Sequence, residues 1–234
     1  MISDSITYLR NSDELAKTIL IGGVLSILSV LLIPAFVVSG YLVRVLRSAI
    51  DGEATAPAFG EWGELFVDGL KAFVIAFVYG LVPAVVGFVL VGGSVIATFS
   101  TESGSAGLLG GVGLLFGLAV SVVLGLAAWY LIPAATASFA TTGRLSAGFD
   151  IGTLRPVVTS KRYATGWLLA LGVIVLAAVV AGMLNAIPVL GTIVGVFVSF
   201  AASVVAYHII GRTWADLQPI ATRDNGVIDD QPVV

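Results

Sequence analysis

The chain has 234 residues, of which 58% are hydrophobic and only 11% are charged. A soluble domain carries about a quarter of its residues as charged side chains, so this composition excludes a soluble protein and predicts one integral membrane bundle. The absence of cysteine excludes disulfides, and a single histidine excludes zinc sites built on histidine clusters. The net charge of −3 argues against a nucleic-acid partner. We therefore expect no metal and no cofactor.

The N-terminal segment, residues 1–17, mixes charges with Ile6, Leu9 and Leu15. This pattern predicts a short helix that lies at the membrane surface. The alternative is a secretory signal. Acidic residues such as Asp4, and the lack of a cleavage site of small residues, argue against that alternative.

Five apolar runs follow, and each is long enough to cross a bilayer, which takes about 20 residues. They are 18–43, 72–99, 107–139, 164–186 and 188–211. The last two meet at a tight turn at 185–188. The third run is too long for one untilted helix at about 1.5 Å per residue, so it tilts, protrudes, bends at Pro133 or hides a sixth span. The sequence predicts an all-α, polytopic membrane bundle of about five transmembrane helices, with six as the alternative.

Basic residues orient this bundle. With five spans, the loops 44–71 and 140–163 share one face with the C-terminal tail, and that face carries every Lys and Arg except Arg10 and Lys17. The positive-inside rule then places the long loops and the tail in the cytoplasm and the N-terminus outside. The chain divides into an interfacial segment, one transmembrane domain and a cytoplasmic tail, at 1–17, 18–211 and 212–234.

Two stretches of the chain are similar, LIPAFVVSGYLVRVLRSAID at 32–51 and LIPAATASFATTGRLSAGFD at 131–150. Each closes an apolar run with Leu-Ile-Pro-Ala and continues through arginine to an aspartate. We interpret them as the mark of an internal parallel duplication. The repeat units are about 18–99 and 107–186, and the span 188–211 is an addition.

Small residues recur every four positions in two spans, and such ridges let membrane helices approach closely. They are Gly113, Gly117, Ser121 and Gly125 in the third span and Gly191, Gly195, Ser199 and Ser203 in the fifth. We predict that the two ridges are packing surfaces, which contact each other or a neighbouring subunit. The alternative is that glycine, with 28 residues, is simply common here.

Both long loops contain helical signals. Residues 59–70 predict an amphipathic interfacial helix, because its large apolar residues and its acidic residues fall on opposite faces. These are Phe59, Trp62, Phe66 and Leu70 against Glu61, Glu64 and Asp68. In the second loop, Asp150 is a candidate N-cap for a short turn that ends near Pro156, and Thr159 or Ser160 caps the helix that enters the fourth span.

A basic rim is expected at the cytoplasmic ends of the duplicated spans. Its members are Arg44, Arg47, Arg144, Lys161 and Arg162. We predict that they contact anionic lipid headgroups, each contributing on the order of 1 kcal/mol. The alternatives are that they only determine topology, or that the arginines pair with Asp51 or Asp150.

The motif Gly-Tyr-x-x-Arg at 40–44 and the motif Leu-Arg-Pro-Val at 154–157 carry a resemblance to a known family. Together with the segments around them, roughly 5–215, the chain resembles the domain-of-unknown-function family 4013. These are archaeal, often haloarchaeal, and bacterial multi-pass membrane proteins. The resemblance implies a plasma-membrane protein without an assigned activity, so it supplies no catalytic residue.

The spans carry no Asp, Glu, Lys or Arg in their deep interior, which argues against proton-coupled transport and intramembrane hydrolysis. We interpret His208 as an interfacial histidine, with a switch or ligand role as the alternative, and Glu61 with Glu64 as a solvated face rather than a catalytic pair. The sequence thus favours a non-enzymatic scaffold or partner subunit that contacts membrane lipids and a second copy or another membrane protein.

The alternative function is a small transporter or channel built from the duplicated, proline-interrupted helices. Such a protein needs a polar lining near mid-membrane. The candidates are Ser26, Ser29, Thr98, Ser121, Thr136 and Ser199. Each hydroxyl can instead bond to a carbonyl of its own helix, which would leave the path without polar groups.

Overall fold

The computed structural model describes residues 5, 7–8, 15–99, 104–187 and 189–218, and every regular element in these ranges is helical. The α-helices are α1 (Leu15–Ile27), α2 (Leu32–Ile50), α3 (Trp62–Phe99), α4 (Gly104–Thr142), α5 (Ile151–Val158), α6 (Lys161–Leu184) and α7 (Leu190–Ala215). Five of them, α2, α3, α4, α6 and α7, are long and apolar enough to cross a membrane. The predicted all-α, multi-pass membrane fold is confirmed.

The helices form two compact units. The core unit comprises Met1–Phe73 and Pro133–Val234, and the hairpin unit comprises Val74–Ile132. The long helices α3 and α4 contribute to both units, because α3 passes from one to the other after Phe73 and α4 before Pro133.

The hairpin unit is an antiparallel pair with a seam of small residues. Along this seam, Gly87 of α3 lies against Ser121 of α4, and Ser94 lies against Gly113. Large apolar side chains such as Phe88 and Phe116 are exposed on its outside. Membrane helices gain little from burying apolar surface, so close contact between small residues is what holds such a pair together.

The core unit is built around α2. Val43, Val45, Leu46 and Ala49 have no exposed surface, so neighbouring helices cover α2 on several sides. The first turns of α3 cross α2 so closely that a Cβ atom on Gly40 would overlap the carbonyl oxygen of Leu65.

The first apolar run, 18–43, is two helices and not the single span that the sequence predicts. A 3₁₀ turn at Leu28–Val30 follows α1, and Leu31 is extended, with φ −85° and ψ 117°. Ring contacts and glycine contacts give the directions of the two helices. Helix α1 runs antiparallel to α7, because Gly22 meets Phe200 and Gly23, one residue later, meets Phe197.

Helix α2 runs parallel to α7, because Tyr41 meets Phe200 and Ala49 meets Gly211. Helices α1 and α2 therefore form a hairpin. The chain therefore turns back at Leu31. The sequence placed the alternative sixth span within 107–139, but these residues belong to the continuous helix α4.

This hairpin corrects the predicted position of the N-terminal segment. The hydroxyl oxygen of Tyr8 lies 3.0 Å from that of Ser48, in the last turn of α2, at the end where the first long loop begins. Tyr8 is therefore on the same side as the loop and not opposite it. Tyr8 and Ser5 are also buried, which a helix on the membrane surface would not require. Most of 1–17, and the tail from 219 onward, lie outside the described residues.

The two similar stretches fold differently. Leu-Ile-Pro-Ala begins α2 in the first copy, with Pro34 in the first turn, where its missing N–H costs nothing. In the second copy Pro133 lies inside α4. Asp51 follows the end of α2, whereas Asp150 precedes α5. The expectation that the motif closes the first span is wrong, and the duplication itself stays a prediction from the sequence.

The helix and caps predicted in the two long loops agree with the structure only in part. Residues 62–70 are the first turns of α3 and not a separate interfacial helix. Asp150 caps α5, which ends at Val158, two residues after Pro156. Ser160 caps α6 by accepting a hydrogen bond from the backbone N–H of Tyr163. The turn predicted at 185–188 is seen at 185–187, between α6 and α7, and residue 188 lies outside the described residues.

The close crossing of α2 and α3 gives a test. A Cβ atom on Gly69 would overlap the carbonyl oxygen of Phe36, so Gly69→Ala should force the helices apart and cost about 1–3 kcal/mol of stability. The measurement is thermal unfolding in detergent micelles.

Gly63→Ala is the matched control, because this residue lies in the same helix with nothing within 4 Å of its Cβ position. Alanine there should leave stability unchanged or raise it by up to about 1 kcal/mol through helix propensity. Equal unfolding temperatures for the two variants would contradict the close crossing.

Candidate functional site at the polar end of the core unit

Polar side chains of the core unit collect where α2, α4 and α7 end. We call this the polar end; it comprises the loops 51–61 and 143–150 and residues 212–218, with the side chains that contact them. The Nε of Arg47 donates to the carbonyl oxygen of Ala140 at 3.2 Å, and the indole N–H of Trp214 donates to Thr141 at 3.1 Å. The ends of α2, α4 and α7 therefore meet.

Arg44 is held at the start of α3. Its guanidinium donates to the carbonyl oxygen of Gly60 and to a carboxylate oxygen of Glu61, both at 3.0 Å, and lies 3.9 Å from Glu64. Only 17% of the Arg44 side chain is exposed. The guanidinium therefore neutralises two carboxylates that were expected to face the cytosol.

Arg47 joins three helices. It pairs with Asp68 of α3 at 3.2 Å while it bonds to Ala140 of α4, and Lys71 lies 3.9 Å from the same aspartate. The Lys71 ammonium also lies 5.6 Å from the centre of the Phe139 ring. Single exposed ion pairs contribute about 0–1 kcal/mol, but a network with a half-buried carboxylate contributes more. The two arginines thus pair with α3 and not with Asp51.

The other predicted rim residues lie outside this network. Arg162 pairs with Asp216 at 2.6 Å. Arg144 and Lys161 are exposed, and the described part of the chain gives neither of them an ion pair. Arg144 is near Asp150, whose pKa is lowered chiefly by the hydroxyl of Thr153, then by backbone N–H groups, and least by the Arg144 charge.

Each ridge of small residues packs on the helix before it in the chain. Gly113, Gly117 and Ser121 contact α3, whereas Gly125 has nothing within 4 Å of its Cβ position. In α7, Gly191 contacts the carbonyl group of Leu184 and Gly195 contacts Ala181, both of α6. Ser199 and Ser203 instead line a groove, and their partners are carbonyls of α7 itself.

That groove has a volume of about 340 Å³ and lies among α1, α2, α6 and α7. Ser26, Ser199 and Phe200 are among its lining residues, with Asn185 and Thr192 toward the turn between α6 and α7. The hydroxyls expected to bond to their own helices do so in five cases, namely Ser26, Ser29, Thr98, Ser121 and Ser199.

A second cavity, of about 410 Å³, opens at the polar end and joins three distant segments of the chain. His208 lines it, is 5% exposed, stacks on the ring of Tyr8 with 4.0 Å between centres, and places Nδ1 2.9 Å from the Ser5 hydroxyl. The expectation that His208 meets water or headgroups at the interface is therefore wrong.

Hydrogen bonds connect the hydroxyls of Tyr8 and Ser48 to the carboxylate of Glu53, which lines this cavity. Ser48 donates its one proton to Glu53 at 2.7 Å, so Tyr8 must be the donor in its bond to Ser48. Burial raises the pKa of Tyr8 to about 12, and its phenol keeps its proton at neutral pH. Sequence reasoning missed Tyr8, Ser48 and Glu53, because only the return of the N-terminal segment brings them together.

Comparison with known proteins assigns the chain to a protein family. The family described as "Protein of unknown function (DUF4013)" matches residues 27–186, which is more than half of the sequence. The chain belongs to this family. The match includes all of α2 to α6, and it leaves Tyr8 and Arg212 outside. No curated protein and no solved structure matches the chain.

The cap of α5 gives a test in this family member. Asp150 accepts from the N–H of Gly152 at 3.0 Å and from Thr153 at 2.8 Å. Asp150→Ala should cost about 1 kcal/mol of local stability, or roughly fivefold faster hydrogen exchange at Gly152. Asp51→Ala, at the equivalent aspartate of the first copy, should leave that exchange rate unchanged. Equal exchange rates at Gly152 in the two variants would contradict the cap.

The pH dependence of this cap has a definite sign. Because the folded pKa of Asp150 is lowered, the cap stabilises α5 above the unfolded pKa of about 3.9 and is lost as the pH falls through the folded value. We expect Gly152 protection to be constant near neutrality and to fall only in acid. Loss of protection between pH 6 and about pH 5 would contradict it.

Proposed function

We propose that the protein is a non-enzymatic membrane scaffold or partner subunit of the plasma membrane, and that it acts through its polar end. The distribution of polar groups supports this function. In the described residues, the ion pairs lie at the polar end, while the hydroxyls of Ser26, Ser121 and Ser199 bond to their own helices. The charged groups are therefore concentrated at the polar end, where they can contact partners.

The proposed orientation puts the polar end in the cytoplasm. The supporting feature is charge, since Arg44, Arg47, Arg144, Lys161 and Arg162 gather at this end, and an excess of Lys and Arg is typical of cytoplasmic loops. In this orientation the N-terminal segment is cytoplasmic as well, because Tyr8 contacts Ser48.

Within the basic rim, we assign contact with anionic lipid to Arg144 and Lys161. Arg44 and Arg47 are engaged by carboxylates, so their role is to hold α3 on α2. Arg144 and Lys161 are both exposed, so their positive charges can contact lipid phosphates. Each cation near an anionic membrane surface contributes about 1 kcal/mol of binding free energy.

The double variant Arg144→Gln with Lys161→Gln tests the lipid role. It should weaken binding of phosphatidylglycerol by about 2 kcal/mol, or roughly thirtyfold, as measured by native mass spectrometry from mixed micelles. Its unfolding temperature should not change.

Arg44→Gln is the informative control. It should lower the unfolding temperature, because Glu61 and Glu64 lose their partner, and leave lipid binding unchanged. Full lipid binding by the double variant would refute the assignment. A scaffold role further predicts a specific protein partner or a second copy after purification from native membranes.

A small transporter or channel is the second candidate, and the groove of about 340 Å³ favours it. Ser199→Leu would fill this groove. In proteoliposomes, a transporter would lose solute flux on that substitution, whereas a scaffold shows no flux with either form.

A further inference from the structure

The pocket of about 410 Å³ at the polar end has the character of a ligand site. Thr7 and Tyr8 of the N-terminal segment, Glu53 of the loop after α2, and Arg212 and Asp216 at the end of α7 line it. Small-molecule sites are typically concave, roughly 300–1,000 Å³ in volume, and contain a few convergent polar groups.

Two opposite charges face this pocket, and among the described residues they do not pair with each other. Asp216 is neutralised by Arg162. Glu53 accepts a hydrogen bond from Ser48, but in the described part of the chain neither Glu53 nor Arg212 belongs to an ion pair. A positive and a negative group that share a pocket but do not neutralise each other complement a ligand that carries both charges.

Glu53 is held in position, and the guanidinium of Arg212 lies beside the same turn. Glu53 is fixed at its backbone, whose N–H donates to the carbonyl oxygen of Ser48 at 3.0 Å, and at its carboxylate by the Ser48 hydroxyl. The guanidinium of Arg212 lies over Gly52, with Nη1 3.3 Å from the Cβ position there. Gly52 has φ +81°, a left-handed backbone conformation that favours glycine.

We propose that the pocket binds a phosphoester zwitterion, with the ammonium group of the ligand at Glu53 and its phosphate at Arg212. A guanidinium presents paired N–H donors that match two phosphate oxygens, and the hydroxyl of Thr7 adds a donor in the same lining. This site is separate from the exposed cations Arg144 and Lys161. The headgroup of phosphatidylethanolamine and the soluble glycerophosphoethanolamine share this chemistry.

Calorimetry on the full chain in detergent micelles tests the ligand class. Glycerophosphoethanolamine, which carries both charges, should bind more tightly than glycerophosphoglycerol, which carries only the phosphate, and than ethanolamine, which carries only the ammonium. In parallel, native mass spectrometry compares phosphatidylethanolamine with phosphatidylglycerol. Binding of the soluble compound identifies a free ligand, and retention of the lipid alone identifies a headgroup.

Amino-acid substitutions test which residues of the pocket bind the ligand. Arg212→Gln and Glu53→Gln should each weaken binding by about tenfold or more. Arg155→Gln and Asp51→Asn remove the same charges from exposed residues outside the pocket lining and should leave affinity unchanged. Ala54→Trp fills the pocket without removing a charge and should abolish binding, which keeps the test decisive if Glu53→Gln does not fold.

The proposal is overturned if neither zwitterion binds the wild-type chain. It is also overturned if a compound with one charge binds as tightly as glycerophosphoethanolamine, or if affinity survives in both Arg212→Gln and Ala54→Trp.

Discussion

The core unit depends on the contact of glycine backbones along α2. Gly40 of α2 and Gly69 of α3 let these helices touch at their main chains, and Gly211 of α7 lies so close that its Cβ position is 2.8 Å from the carbonyl oxygen of Leu46. Lipid gives helices little reason to associate, so such contacts must supply the packing. They place α2 between α3 and α7, and they fix which side chains meet at the ends of these helices.

The ion pairs follow from this crossing. Gly40 lies on Leu65 and Phe36 on Gly69, so the helices run antiparallel and the next turn brings Arg44 opposite Glu61. Arg47 adds a second ion pair between the same helices, with Asp68. An arginine side chain that is largely buried, as Arg44 is, is costly unless it is paired. The carboxylates of α3 therefore allow a helix with two arginines to stand in the middle of the core unit.

Local features were predictable from the sequence because a few neighbouring residues determine them. The long apolar runs, the cap at Ser160 and the turn at 185–188 are of this kind. The break at Leu31 was missed although Pro34 signals it, because proline is disfavoured inside a helix and favoured in a first turn, and we read Pro34 as part of one continuous span. The predicted side of each segment depends on the number of spans before it. Because the break was missed, the N-terminal segment was predicted on the side opposite the long loops, whereas Tyr8 lies on the same side as them.

The polar contacts were missed for a different reason. The carboxylates of 61–68 read as a solvated face because their arginine partners lie in another helix, and Ser5 meets His208 across 203 positions of sequence. Periodicity reveals which face of a helix is polar but not what covers it. The ridges of small residues show the same limit, since Gly191 and Gly195 were recognised as packing residues but α6 was not recognised as their partner.

The hairpin of α1 and α2 brings the N-terminal segment to the polar end, and sidedness in a sealed membrane measures this directly. The chain has no cysteine, so single cysteines at Thr7, Ala54 and Ile187 can be labelled without background by a membrane-impermeant maleimide. The hairpin predicts that positions 7 and 54 react from the same side and position 187 from the other. Labelling of position 7 from the side of position 187 would contradict it.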